Sequence, residues 1–479
     1  MAAPPSEPLD AVDAAWLRMD RPTNRMMICG MMEFDGAVDL ATFKQIVASR
    51  MLCFHRFRQR VVTDDSLGAR PRWERDAHFD LDWHVRRMAL PDDAEALREL
   101  TSDLVSTALD PSKPMWQFHL LAGASHHALV MRMHHCYGDG FALLRLVDAI
   151  TDLAPQQVQG DGVDLAPAGA PARAAWERIT GPLGEVVGDA WRAAMAVAGA
   201  GVTMFNRPGD ALAYARSGAG LLYQAGVLAA MAPDAQSRLK GPVGVMKRVA
   251  WAPPLKLADV KAVAAVLGCS VNDIVMAAVA GALRAYLREH GDVIAGSAVR
   301  ALMPVNLRAP GPLTELGNHF GMVFVCLPID GDDPVERVLA VQGQLAQLKH
   351  SAQAQVALTI LAGMGVAPEF LKERVLSALA ANASLVVTNV RGPQEPRYLA
   401  GRRIRRQLFW VPQSGDIGLG ISLFSYAGEL SCGVMADARR VPDPGAIAAH
   451  FAAQFEQLLL CTLMMPWPGH DGERRKRAD

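Results

Sequence analysis

A chain of 479 residues in which Lys plus Arg (48) nearly cancels Asp plus Glu (49) offers no broad basic face for nucleic acid. Half of it is hydrophobic and a fifth is charged, the balance of a globular protein with room for two or three cores. Seven scattered cysteines with no CxxC pair exclude a disulfide scaffold and imply reduced, mostly buried thiols of a cytoplasmic protein.

The opening Met-Ala-Ala-Pro-Pro lacks the basic start and apolar run of a signal peptide. Residues 8–19 read as a short helix and Met26 to Phe34 as a strand ending at Asp35-Gly36. Asp39 caps an expected helix to about Arg50, with Leu40, Phe43, Ile46 and Val47 on one face. Strands are expected over Arg56 to Val62 and at Trp73-Glu74, then a helix from Glu95 to Leu109 that stops at Asp110-Pro111. Pro114 to Leu121 and 128–133 read as consecutive strands. The second leads through Met133-His134-His135-Cys136-Tyr137-Gly138-Asp139-Gly140 into a helix beginning near Phe141.

From about 154 to 245 the composition shifts to Gly, Ala and Pro, which reads as a helical crossover with helices at 172–200 and 210–231. Its charge-free gaps fall short of the ~20 strongly apolar residues that span a bilayer. The second half opens with a strand at Val245 to Trp251 and a helix from Leu257 to Leu267. Ser270 then caps a long helix to Glu289, with Asp273 as its first-turn acid. Strands at 299–305, 321–327, 384–390, 407–411, 417–425 and 430–436 follow, with helices at 334–350, 366–381 and 444–461. The basic tail reads as disordered. Strands and helices mix without regular alternation, so the fold class is α/β of the α+β kind rather than a Rossmann unit. Two similar halves with a cleft between them are expected: 1–153, a crossover 154–245, 246–465, and a tail 466–479.

The histidine pair His134-His135 admits three roles. A metal site needs a third and usually a fourth ligand, and no second His/Cys cluster supplies them, so no metal is expected. A packing role is the ordinary fate of such a dipeptide, and His126-His127 offers a comparison without a following Asp-Gly. A chemical role needs a neutral imidazole with one nitrogen facing a cleft, a general base near neutral pH. No Gly-x-Ser-x-Gly nucleophile motif and no Gly-rich phosphate loop are present.

His-His-x-x-x-Asp-Gly resembles the signature of the CoA-dependent acyltransferase superfamily, which includes chloramphenicol acetyltransferases and peptide-synthetase condensation domains. In order with it stand Pro114-Met115-Trp116, Ser270-Val271-Asn272-Asp273, Pro304-Val305-Asn306-Leu307-Arg308, Leu316-Gly317-Asn318 and Thr388-Asn389-Val390-Arg391-Gly392-Pro393. Together they resemble the bacterial wax ester synthase/acyl-CoA:diacylglycerol acyltransferase family, from about Leu9 to the last helix. Met115 replaces a common Leu, a mild apolar change; Arg391 replaces a common Pro and brings a positive charge.

The resemblance implies two chloramphenicol-acetyltransferase-like domains with an active site in a channel between them. It implies a long-chain acyl-CoA donor, a fatty alcohol or diacylglycerol acceptor, no cofactor, no nucleic acid, and direct transfer without an acyl-enzyme. His135 is the implied base. His134 and Asp139 complete the motif as supports, with Arg308 the candidate partner of Asp139. Gly138 and Gly140 are expected to allow a sharp turn and close substrate approach. Asn272 is a candidate oxyanion group at the start of a helix, against simple capping with Asp273. Pro114 and Trp116 are cleft or core framework, and Asn389, Gly392 and Pro393 shape a loop. A cytoplasmic enzyme peripheral to the inner membrane or lipid inclusions is the expectation. The alternatives are a same-fold acyltransferase with an amine or carrier-bound acceptor, and an inactive member that coats lipid surfaces.

Overall fold

The computed structural model describes residues 6–63, 71–155, 231, 234–294, 296–307, 318, 320–349, 353, 356–357 and 380–465. The expected crossover helices at 172–200 and 210–231, most of the helix at 366–381, Arg308 and the tail lie outside them. The first part of the chain forms β1 (Ser6–Pro8), β2 (Met27–Phe34), β3 (Gln59–Val62), β4 (Arg72–Arg75), β5 (Val85–Ala89), β6 (Trp116–Ala122) and β7 (His127–His134). The later part forms β8 (Lys247–Trp251), β9 (Leu255–Lys256), β10 (Ala298–Asn306), β11 (Phe320–Pro328), β12 (Leu385–Arg391), β13 (Tyr398–Leu399), β14 (Arg402–Trp410), β15 (Leu419–Tyr426) and β16 (Glu429–Asp437).

Two mixed sheets organise these strands. One has the order β13-β14-β2-β7-β6-β5; the other runs β11-β10-β12-β15-β16-β8, with β9 also on β16. β1, β4 and β3 make a small third sheet. The division of the chain at about 246 is therefore not the division of the sheets. β14, from the later segment, pairs antiparallel with β2, Trp410 opposite Cys29 and Gln407 opposite Met32. Nothing local to Arg402–Trp410 announces this, because its partner lies more than 360 residues earlier in the chain.

Local chemistry explains the elements that hold the site. β7 is buried on both faces. Leu129, Met131 and Met133 pack with Trp116 and Phe118, while Ala128 and Val130 pack with the helix Ala94–Ser106. Arg132 points toward that helix, and its Nη1 donates to the Leu104 and Thr107 carbonyls at 2.7 and 2.9 Å, at the helix's C-terminal end. The same helix covers the edge of β8, its Ser106 and Ser102 hydroxyls accepting from the Lys247 and Val249 amides at 2.9 and 3.0 Å. In the other half the helix Val271–Glu289 is buried without a break from Asp273 to Leu283, and so forms the centre of its core.

Several boundaries differ from expectation. The strand expected from Arg56 begins only at Gln59, after a single tight turn His55–Arg58. The helix from Asp39 spans Leu40–Ile46 and widens into a π-turn over Val47–Met51. The helix expected to reach Leu109 ends at Ser106. The last helix, Pro444–Leu463, is long and apolar enough to cross a membrane, but Ile447, Phe451, Phe455 and Leu458 bury one side of it in the core. Of the cysteines, Cys29, Cys136 and Cys432 are buried and Cys53 is exposed.

Candidate active site

The two histidines stand where β7 runs out. His134 is the last residue paired with β2, opposite Met27, and the next amide, that of His135, donates to the Met26 carbonyl at 2.7 Å. The chain then makes one tight turn, His135–Tyr137, and enters the helix Gly140–Ile150. Asp139 caps that helix: one carboxylate oxygen accepts from the Phe141 and Ala142 amides, both at 3.1 Å. Tyr137 pins the turn from below. Its hydroxyl donates to the Gln59 carbonyl at 2.8 Å and accepts from the Met115 amide at 3.1 Å.

His135 is enclosed by parts distant in sequence. Its ring stacks on Trp16, centroids 4.1 Å apart and planes 13° from parallel, with Phe320 5.7 Å away. Asp13 and Trp16 lie three apart on the helix Ala11–Met19 and so share a face. The Asn318 amide donates both to the His135 carbonyl and to Asp13 Oδ1, each at 2.8 Å. Thus one side chain ties the backbone of His135 to a buried carboxyl.

The electrostatics follow from burial. His135 is 5 % exposed, and desolvation pushes its imidazole down from 6.5 to about 4, against the opposite pull of Asp139, its own carbonyl and Asn318. At neutral pH the ring is therefore uncharged. Burial pushes the Asp13 carboxyl the other way, up to about 7, with Asn318 restraining it. His134 goes further down, to about 3, by burial, with His135 and Arg25 adding to the effect. Its Nδ1 accepts from the Cys136 amide at 3.1 Å, while its Nε2 stands 3.8 Å from Asp20, too far for a hydrogen bond. His134 braces the turn.

Among the described residues His135 Nδ1, Trp16 Nε1 and Asn318 Oδ1 are buried without a hydrogen-bond partner. All three belong to the group packed around His135.

A cavity abuts this segment. It holds about 660 Å³ of empty space counting its mouth, and its wall includes Met133, two residues before His135, and Gly140, directly after Asp139. Ile28, Leu143 and Phe424 also line it, from β2, the following helix and β15. The two motif glycines do not serve the sharp turn expected of them. Gly138, at φ 160°, is extended backbone that any residue adopts. At Gly140 a side chain would meet no atom within 4 Å. What a side chain there would take up is cavity space. Gly392 does serve close approach: a Cβ would lie 2.6 Å from the Ser425 carbonyl and strike the ring of Phe424.

The remaining expected residues fall elsewhere. Asn272 accepts a hydrogen bond from Asn389 at 3.0 Å, joining two of the sequence motifs to each other. Among the described residues no hydrogen bond or ring contact joins either to His135. Asp273 closes a capping box, its carboxylate accepting from the Ser270 amide at 2.7 Å while its own amide donates to the Ser270 hydroxyl at 3.2 Å. Trp116 is core, not cleft: it is fully buried, stacks on His84 at 4.3 Å, and donates to the Phe57 carbonyl at 2.8 Å. Pro114 is buried one turn before it and accepts from the Trp116 amide at 2.8 Å. Arg391 is exposed at the end of β12, and Val390 beside it lines the cavity. No group of three His, Cys, Asp or Glu side chains among the described residues is placed to hold a metal ion. The residues the sequence reading missed are Asp13, Trp16, Tyr137 and Phe320. Asn318 stands in the sequence only as part of the motif Leu316-Gly317-Asn318. An acid and a tryptophan three apart on a short, mostly apolar helix are the signal for the first two.

Comparison with known proteins places this geometry in a family. The wax ester synthase/diacylglycerol acyltransferase catalytic domain matches residues 9–275, and the WS/DGAT C-terminal domain matches 316–459. The Mycobacterium tuberculosis protein named "Probable diacyglycerol O-acyltransferase tgs1" is 28% identical over 455 residues, covering 92% of this chain and 93% of its own. The one named tgs2 from the same organism is 30% identical over 410 residues, covering 84% and 86%. Among solved structures, the wax ester synthase/diacylglycerol acyltransferase of Marinobacter aquaeolei superposes with a TM-score of 0.67 at 20% identity, over 96% of this chain and all of that one. A starter condensation domain of rhizomide synthetase superposes at 0.57 and 13% identity, over 96% and 95%. The fold is thus the two-domain architecture shared with chloramphenicol acetyltransferases and condensation domains, and the chain belongs to the wax ester synthase/diacylglycerol acyltransferase family of acyltransferases.

Proposed function

We propose that this enzyme moves a long-chain acyl group from acyl-CoA to the hydroxyl of a fatty alcohol or a diacylglycerol, with His135 as general base. The observation that carries the reading is the uncharged, buried His135 in a turn whose flanking residues Met133 and Gly140 both line an apolar cavity. The uncharged ring keeps one nitrogen able to accept a proton, and Nε2 is assigned that part. Nε2 takes the hydroxyl proton as the alcohol oxygen attacks the thioester carbon. A carbon–oxygen bond forms; the tetrahedral intermediate then expels the thiolate, breaking the carbon–sulfur bond. The imidazolium returns its proton to that sulfur, and CoA leaves as the thiol.

Direct transfer rather than an acyl-enzyme is favoured by Cys136. The only thiol in the turn is buried, and burial pushes it well above its usual range, so it holds its proton where a nucleophile would need to lose it. No cofactor enters this scheme. The acceptor's water-insolubility suits attachment to a membrane or lipid-inclusion surface, for which the exposed Leu460, Leu463 and Met464 at the end of the last helix are the proposed contact.

The test is thiol release from palmitoyl-CoA with hexadecanol and diacylglycerol as acceptors side by side. Acceptor-dependent release is expected. A demand for an amine or for a carrier-bound acceptor would move the chain to condensation-type chemistry, and lipid binding without thiol release would make it a surface protein.

A further inference from the structure

The cavity bordered by Met133 and Gly140 has one polar side chain in its wall among the described residues, and nothing described satisfies it. Gln407 on β14 is 5 % exposed and lines the cavity, and its Nε2 is buried without a hydrogen-bond partner. Its neighbours there are apolar: Met31, Met32, Leu408 and Phe409. Whichever way the amide is turned, it brings a donor and an acceptor into an apolar wall. Leaving such a group unpaired is costly. A trapped water is a poor remedy, because a buried water needs two to four polar partners and the other lining side chains offer none.

The amide is also remote from the reacting atoms. Along β2, Met27 stands opposite His134 and Met32 stands opposite Gln407. Five residues of strand separate those levels, roughly 16 Å at the usual rise per residue. The thioester carbonyl of an acyl-CoA and the ester carbonyls of a diacylglycerol lie at the reacting end or a few bonds from it. They do not extend that far along the cavity.

We propose that Gln407 is a specificity residue that hydrogen-bonds an oxygen carried partway along the lipid chain, so that the cavity favours a hydroxylated or oxo-substituted chain over a plain alkyl chain. The proposal rests on the acyl-transfer reading above. A plain chain would bury the amide with no partner, whereas a mid-chain hydroxyl could pair with it as donor or acceptor. Discrimination then comes from the group left unsatisfied, as in sites built to bind a substrate hydroxyl.

The experiment compares CoA release from octadecanoyl-CoA and from its analogue hydroxylated mid-chain, with hexadecanol as acceptor. A second arm places the mid-chain hydroxyl on the alcohol, with palmitoyl-CoA as donor. Wild-type enzyme is expected to prefer the hydroxylated substrate by about 10-fold in kcat/KM in one arm, which also identifies the chain that fills the cavity. Gln407→Leu should abolish that preference by raising the plain substrate and lowering the hydroxylated one. Its melting temperature should be equal or higher, since an unpaired amide has been removed; an amide kept for structure would show the reverse. Gln407→Met serves if the leucine variant does not fold. A wild-type enzyme without preference in either arm, or a variant that keeps it, overturns the inference alone. Wild-type turnover of none of these substrates overturns the acyl-transfer reading and this inference with it.

Discussion

Two motif-bearing stretches of this chain meet opposite fates. Around His135, burial leaves three polar atoms without partners, and a base and an acid are both driven away from their charged forms. At Ser270–Asp273, where the helix Val271–Glu289 begins, each polar group is answered: hydroxyl by amide, carboxylate by amide, and Asn272 by Asn389. A sequence motif alone does not distinguish these cases. The first stretch leaves buried polar atoms unanswered; the second is organised to start its helix.

The largest effect is expected at His135. His135→Ala should lower kcat for thiol release by about 10³-fold or more, the scale of a positioned general base. The wild-type pH profile sharpens the point. With the free-enzyme imidazole pushed down to about 4, the acidic limb of kcat/KM should lie near pH 4 rather than 6.5. Activity falls as pH drops through that value, because protonation removes the base. An acidic limb at 6.5 would mean that the ring is solvated and the enclosure by Trp16 and Phe320 is loose.

A smaller loss is expected at Asn318, which holds His135 by its carbonyl. Asn318→Leu leaves that carbonyl and Asp13 Oδ1 without their shared donor, a cost of about 1–3 kcal/mol in a buried setting. Thiol release should drop by roughly 10- to 100-fold in kcat with little change in KM, since a displaced base harms the chemical step rather than binding. An unchanged kcat would separate the amide from the chemistry.

These two positions also show what could be read from the sequence. The turn His134–Gly140 was legible because strand, turn and helix are local and each has its own signal: the apolar run of β7, Asp139 as cap, the periodic leucines after it. The capping box at Ser270 was legible for the same reason. Trp16 and Asp13 were not, since the ring contact of the one and the link of the other through Asn318 depend on a helix more than 100 residues earlier packing against that turn. β14 was read as a strand, yet its place beside β2 rests on pairing that no local pattern encodes. The glycines misled in the other direction. A Gly-x-Gly suggested a sharp turn, whereas the backbone at Gly138 is extended and Gly140 lines the cavity.

That room gives the third prediction. Gly140→Leu meets no atom at its Cβ, so the backbone and the cap by Asp139 should survive. The longer side chain enters the cavity and competes with a lipid chain for its volume. We expect thiol release with long-chain substrates to fall by about 10-fold, with shorter acyl chains less affected, on the scale of a few methylenes excluded from an apolar pocket. Equal loss for short and long chains would mean that the cavity does not receive the chain.

The smallest effect is expected at the satisfied motif. Ser270→Ala removes the hydroxyl that accepts from the Asp273 amide and leaves the first turn of a long buried helix with one more unpaired donor. Loss of such a cap costs about 1 kcal/mol, measurable as a lower denaturant midpoint. Thiol release by the folded enzyme should stay within about twofold of wild type, because Asn272 and Asn389 keep each other's hydrogen bond and no described contact joins them to His135. A large fall in kcat with normal stability would instead bring the start of this helix into the reaction. Asn272 would then regain the oxyanion role that its position in the motif first suggested.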